Sequence, residues 1–114
     1  MDRKVILLVE DNLDDEELTI RTLKKNNILN EVIVAHDGAE AIDYLFCKGK
    51  YKNRDVDIMP VIIMLDIKLP KISGLDVLKQ IRANERTKLL PVVILTSSDE
   101  ERDLIESYKL GANS

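Results

Sequence analysis

Val61-Ile62-Ile63-Met64-Leu65-Asp66 is a run of five apolar residues that ends in a carboxylate. Pro60 precedes it, and Pro70 and Gly74 follow. An apolar run of this length between breakers reads as a strand buried on both faces. Such strands belong to parallel sheets covered by helices, and those sheets place their ligands outside the carboxyl ends of the strands. Asp66 stands at that end. A plainer reading, in which Asp66 only starts a turn or caps a helix, stays open on this stretch alone.

Upstream, Val5-Ile6-Leu7-Leu8-Val9 is a second all-apolar strand, and it too ends in acids, Glu10-Asp11. From Asn12 to Asn27 a thin apolar stripe of Leu18, Thr22 and Leu23, with Ile20 at its margin, predicts a helix. Acids from Asp14 to Glu17 in its first turn and Lys24-Lys25 in its last suit the helix dipole. Glu31 to Ala35 is a more polar strand, expected near a sheet edge. Asp37 and Glu40 have capping-box spacing and open a helix with an apolar face of Ala41, Ile42, Leu45 and Phe46. Lys48 to Asp57 is charged and reads as a surface loop or a helix extension.

Downstream, Ser73 and Asp76 form an S-x-x-D start to a helix that buries Leu75, Leu78 and Ile81. Val92 to Leu95 is the fourth strand and delivers Thr96-Ser97-Ser98 to the same end of the sheet. Ser98 and Glu101 cap a last helix with Leu104, Ile105 and Tyr108 inward and Gly111 as C-cap. Strands and helices alternate, which predicts a doubly wound α/β sheet.

The 114 residues suffice for one domain, and 45% are apolar. A net charge of −4 and a pI near 5.0 argue against electrostatic binding to nucleic acid or an anionic membrane. Cys47 stands alone, which excludes an internal disulfide and a cysteine zinc cluster; it reads as a small buried hydrophobe. No apolar run approaches the roughly 20 residues of a membrane span. The five apolar residues before Glu10 are too few for a signal peptide, so the cytoplasm is expected.

In a flavodoxin-like strand order, 2-1-3-4-5, the switch point lies between strands 1 and 3. Glu10, Asp11 and Asp66 then converge in one crevice. Carboxylates that close repel one another unless a cation sits among them, and Mg²⁺ suits an all-oxygen site. Thr96 would lie beside Asp66 with a hydroxyl to donate. An aspartate so equipped is a nucleophile towards phosphorus.

Glu10-Asp11, Asp66, Pro70, Gly74 and Thr96, with Thr96 standing 30 positions after Asp66, resemble the receiver (response-regulator) domain of two-component signalling. The resemblance covers residues 1–114 as a single domain, and Asp37-Gly38-Ala39-Glu40-Ala41 is also typical of it. It implies that Asp66 accepts a phosphoryl group from a histidine kinase or phosphotransfer protein. It implies that Glu10, Asp11, Asp66 and the backbone carbonyl of Lys68 hold Mg²⁺, and that Thr96 bonds the phosphoryl group and relays the change to a downstream protein. The long segment between Phe46 and Pro60 is similar to that of single-domain receivers that partner phytochrome-type kinases. In the family a fifth strand carries a Lys-Pro pair preceded by an aromatic switch residue; this chain ends at Ser114, before both. For a chain that stops at Ser114 the expectation is a fold lacking the fifth strand, with self-association through strand 4 and the last helix, or marginal stability; for a chain that continues, the expectation is a well-behaved fold with the family's lysine supplied to the phosphoryl site.

Lys68 reads as an exposed side chain; the sharper idea is that it sits beside the phosphoryl group and affects hydrolysis. His36 is expected away from Asp66. Lys24-Lys25 and the charges from Lys48 to Arg54 read as solvated faces. A phosphatase or dehalogenase with a strand-end aspartate nucleophile is the rival reading, but such enzymes typically carry a second aspartate two residues on, where this chain has Lys68. A receiver-shaped module that is never phosphorylated is a further rival, opposed by the intact acids and Thr96.

Overall fold

The computed structural model describes residues 4–95. The elements are β1 (Val5–Val9), α1 (Leu13–Lys25), β2 (Glu31–Ala35), α2 (Gly38–Leu45), a 3-10 turn (Gly49–Tyr51), β3 (Ile62–Asp66), α3 (Gly74–Ala83) and β4 (Val92–Leu95). All pairings are parallel, and the order is β2-β1-β3-β4. This is the predicted doubly wound order, with β2 at an edge. The expected last helix, the self-association face built on it, Thr96 and any fifth strand lie outside the described residues.

The chain steps from β1 outward to β2, then reverses across β1 to β3 and on to β4. With right-handed crossovers, that reversal puts α1 on one face of the sheet and α2 and α3 on the other. Leu7, Val9, Ile63, Leu65, Val92 and Ile94 meet Ala41, Tyr44, Leu45, Val77, Leu78 and Ile81 in one buried cluster. On the α1 face, Ile6 and Leu8 are buried, whereas Ile62, Met64 and Val93 are half-buried.

Several expectations need correction. Val61 lies outside β3 and is 43% exposed; its N–H donates to the Val5 carbonyl at 2.8 Å. β3 is fully buried only on its α2/α3 side. α1 buries no residue: Leu18 is 60% exposed and Thr22 is exposed, while Glu16, Thr19, Ile20 and Leu23 form the half-buried stripe. The thin apolar content of that helix let a stripe be drawn on the wrong side. On α3, Val77 is buried and Leu75 half-buried. Cys47 is half-buried and adopts a left-handed φ of 56° just past α2, so the chain turns there instead of packing the thiol.

The α2 cap also differs from a regular capping box. Asp37 accepts the Glu40 N–H at 2.7 Å as expected, but Glu40 reaches back to the His36 N–H, one residue before the cap.

The segment from Lys48 to Asp57 is fastened rather than free. Arg54 donates from Nε to the Tyr44 carbonyl at 2.8 Å and from Nη2 to the Leu45 carbonyl at 3.3 Å, satisfying orphan acceptors at the end of α2. Its other guanidinium nitrogen donates to the Asp55 and Ile58 carbonyls. The guanidinium lies 4.3 Å from the Tyr44 ring centroid, and Tyr51 packs edge-on against Tyr44 at 5.1 Å. These contacts explain why Tyr44 is buried although it lay outside the expected apolar face.

Candidate functional site

Parallel register pairs Val9 with Leu65, so the next residues, Glu10 and Asp66, come side by side. Side chains alternate along strands. Glu10 follows Ile6 and Leu8, and Asp66 follows Ile62 and Met64, so both carboxylates point to the α1 face. One ligand oxygen each from Glu10, Asp11 and Asp66 lies within 4.8 Å of the others. An open cavity of about 360 Å³ adjoins them, walled by Asp15, Leu18 and Thr19 of α1 and by Leu95.

The backbone holds this cluster in place. The Glu10 N–H donates to the Ala35 carbonyl at 3.0 Å, carrying the ladder one residue past β1. Asn12 caps α1 by accepting the Asp15 N–H at 3.0 Å, and its own N–H donates to Glu10 Oε2 at 3.2 Å. The Lys68 N–H donates to Asp66 Oδ1 at 3.0 Å, which fixes the rotation of that carboxylate.

Glu10 is only 4% exposed, while Asp66 is half-buried and Asp11 exposed. Burial pushes the Glu10 carboxyl up to about 7; the adjoining Asp66 carboxyl adds to the rise, and the Asn12 N–H opposes it. A buried carboxyl held up beside a second one marks a place where a cation would relieve both repulsion and desolvation. An all-oxygen donor set of three carboxylates fits a hard divalent ion such as Mg²⁺.

Sequence reasoning brought Glu10, Asp11 and Asp66 together correctly, and it placed His36 elsewhere. The Lys68 side chain is exposed. Thr96 lies outside the described residues. Two supporting residues went unassigned. Asn12 carried a readable signal, a capping residue directly after two acids. Gly74 was read as a breaker and as part of the receiver resemblance, with no structural role given to it. A Cβ there would meet the Asp66 carbonyl oxygen at 2.3 Å and the Ile67 Cα at 2.5 Å, both backbone, so only glycine lets α3 start this close to Asp66.

Known proteins are similar to this chain in sequence and fold. The response regulator Rcp1 of Synechocystis sp. is 44% identical over 110 residues, spanning 96% of this chain and 73% of Rcp1. The crystal structure of its Mn²⁺-bound form superposes with a TM-score of 0.87 at 44% identity, over 96% of this chain and 77% of that one. The bacteriophytochrome response regulator RtBRR gives a TM-score of 0.90 at 49% identity, covering 100% of this chain and 68% of that one. The phosphorylated cyanobacterial phytochrome response regulator RcpA gives 0.87 at 40% identity, over 97% of this chain and 77% of its own. The model of the response regulator receiver domain matches residues 6–114, and this chain therefore belongs to that family, the phosphoacceptor modules of two-component signalling.

Proposed function

We propose that Asp66 is the phosphoryl acceptor, that Glu10, Asp11, Asp66 and the Lys68 carbonyl hold Mg²⁺, and that the Thr96 hydroxyl bonds the phosphoryl group. The convergence of three carboxylates at the ends of β1 and β3 carries this reading. An Asp66 oxygen attacks phosphorus, the bond from phosphorus to the donor's histidine nitrogen breaks, and an aspartyl phosphate forms while the imidazole leaves. The Lys68 N–H holds the attacking carboxylate in one rotation, which favours an aligned approach. When bound, Mg²⁺ offsets the charge of the acids and of the phosphoryl oxygens.

The donor is a histidine kinase or phosphotransfer protein, and likeness to RtBRR and RcpA favours a kinase of phytochrome type. The output is a change of contacts with a downstream protein in the cytoplasm. Among the described residues no helix is long and apolar enough to cross a membrane. Lys68, where a hydrolase would carry its acid, favours a signalling acceptor over an enzyme acting on a separate substrate. Incubation with acetyl phosphate and Mg²⁺ tests the reading: the protein gains one phosphoryl group and Asp66→Asn gains none while retaining its fold. Persistent labelling of Asp66→Asn overturns it.

A further inference from the structure

Glu10 and Asp66 are tethered in the same way. Each carboxylate accepts the backbone N–H of the residue two positions on: Glu10 Oε2 from Asn12 at 3.2 Å, and Asp66 Oδ1 from Lys68 at 3.0 Å. The two N–H groups are aimed by different means. That of Lys68 belongs to a loop which the Gly74 N–H closes on the Ile67 carbonyl at 3.0 Å, and which buries Ile67 and Leu69. That of Asn12 belongs to an exposed residue at the start of α1, a helix that buries none of its residues. Packing therefore does little to aim it.

Hydrogen bonds made by Asn12 itself do so instead. Its carbonyl accepts the Glu16 N–H at 2.9 Å, the first bond of the helix. That bond orients the peptide plane between Asn12 and Leu13, but it leaves rotation about the Asn12 Cα–C bond, ψ, open. Such rotation swings the Asn12 nitrogen and Cβ together around the helix start. Asn12 Oδ1 accepts the Asp15 N–H at 3.0 Å and so pins the side chain to the first turn. With Cβ pinned, ψ stays at 119° and the nitrogen stays where its N–H meets Glu10.

We propose that Asn12 is a positioning residue for the metal centre: by capping α1, its side chain holds its own backbone N–H against Glu10 and so sets the affinity for Mg²⁺. The inference rests on Glu10, Asp11 and Asp66 being the Mg²⁺ ligands. It adds that Glu10, the most buried of the three, keeps its rotation through a side chain that itself touches no ion. A glutamate without that tether has rotamers to lose when the ion binds, and binding weakens accordingly.

Calorimetric titration with Mg²⁺ tests the proposal, with circular dichroism to check that each variant is folded. Asn12→Ala keeps the N–H but loses the cap, and its affinity falls by about tenfold, the scale on which groups that orient a metal ligand act. Asn12→Ser restores a capping oxygen and stays within about twofold of the wild type. Asn26→Ala removes the bond from Asn26 Nδ2 to the Thr22 carbonyl, at the far end of the same helix, and leaves the affinity unchanged. Wild-type affinity in Asn12→Ala overturns the proposal, as does an equal loss in Asn12→Ser. An equal loss in Asn26→Ala would trace the effect to a looser α1 and overturn it too. A wild-type protein that binds no Mg²⁺, or an Asp11→Ala protein that binds it as well as wild type, would instead fail the ligand assignment, and the proposal with it.

Discussion

On the side of α2 and α3, Leu7, Val9, Ile63, Leu65, Leu45, Leu78 and Ile81 are fully buried. On the side of α1, Ile6 and Leu8 are buried, but Ile62, Met64 and Val93 are half-buried, and Leu13 and Leu18 of the helix are 69% and 60% exposed. Glu10 and Asp66 project onto this second side. The two faces therefore divide the work. One holds the strands in register by burial, and through them sets the positions of Val9 and Leu65. The other keeps an open crevice where charged groups meet solvent and partners. Carboxylates set at the ends of tightly buried strands are placed accurately beside an open crevice, Glu10 buried in its wall and Asp66 half-buried.

Truncation on the packed face is the strongest way to test this division. Leu78→Ala removes a fully buried side chain from the α2/α3 cluster and is expected to cost about 2–5 kcal/mol. Leu18→Ala, on the exposed face of α1, is expected to stay within about 0.5 kcal/mol. Urea unfolding of both variants checks the contrast, and equal losses would break it.

The next effect comes from the acids. Glu10 rises from 4.5 to about 7 on folding, so within that window the folded protein holds a proton that the unfolded chain has released. Stability without metal therefore falls as pH rises from roughly 4.5 to 7, by no more than about 3 kcal/mol. Glu10→Gln flattens this slope in thermal melts. Mg²⁺ flattens it too, by replacing the proton, and Asp11→Ala removes most of the Mg²⁺ effect. A slope unchanged in Glu10→Gln would mean that another group titrates.

Gly74→Ala links the two faces. The added methyl forces the Asp66 backbone and the start of α3 apart, at about 1–3 kcal/mol for overpacking. Because the displaced atoms belong to Asp66, Mg²⁺ affinity measured by calorimetry falls as well. Full affinity in a stably folded Gly74→Ala protein would show that the site tolerates a looser strand end.

The packed face and the acids were legible because their signals are local. Val5 to Val9, Val61 to Leu65 and Val92 to Leu95 are unbroken apolar runs, the last two preceded by proline, and the first two end in acids. The edge position of β2 followed from its polarity. What stayed hidden depends on groups distant in sequence. Tyr44 is buried because Arg54 and Tyr51 close over it, and Gly74 matters because α3 approaches the Asp66 carbonyl. The inward side of α1 was misjudged because Glu16 and Thr19, both polar, take the half-buried positions, and Glu16 does so against His36.

Locating the phosphoryl group tests the central claim most directly. After treatment with acetyl phosphate and Mg²⁺, borohydride reduces an aspartyl phosphate to homoserine, which peptide mass spectrometry assigns to a position. The account predicts homoserine at position 66 alone, dependent on Mg²⁺ and absent when the donor is omitted. Homoserine at position 11, a reduced glutamate at position 10, or a phosphoryl group that survives in Asp66→Asn would contradict it.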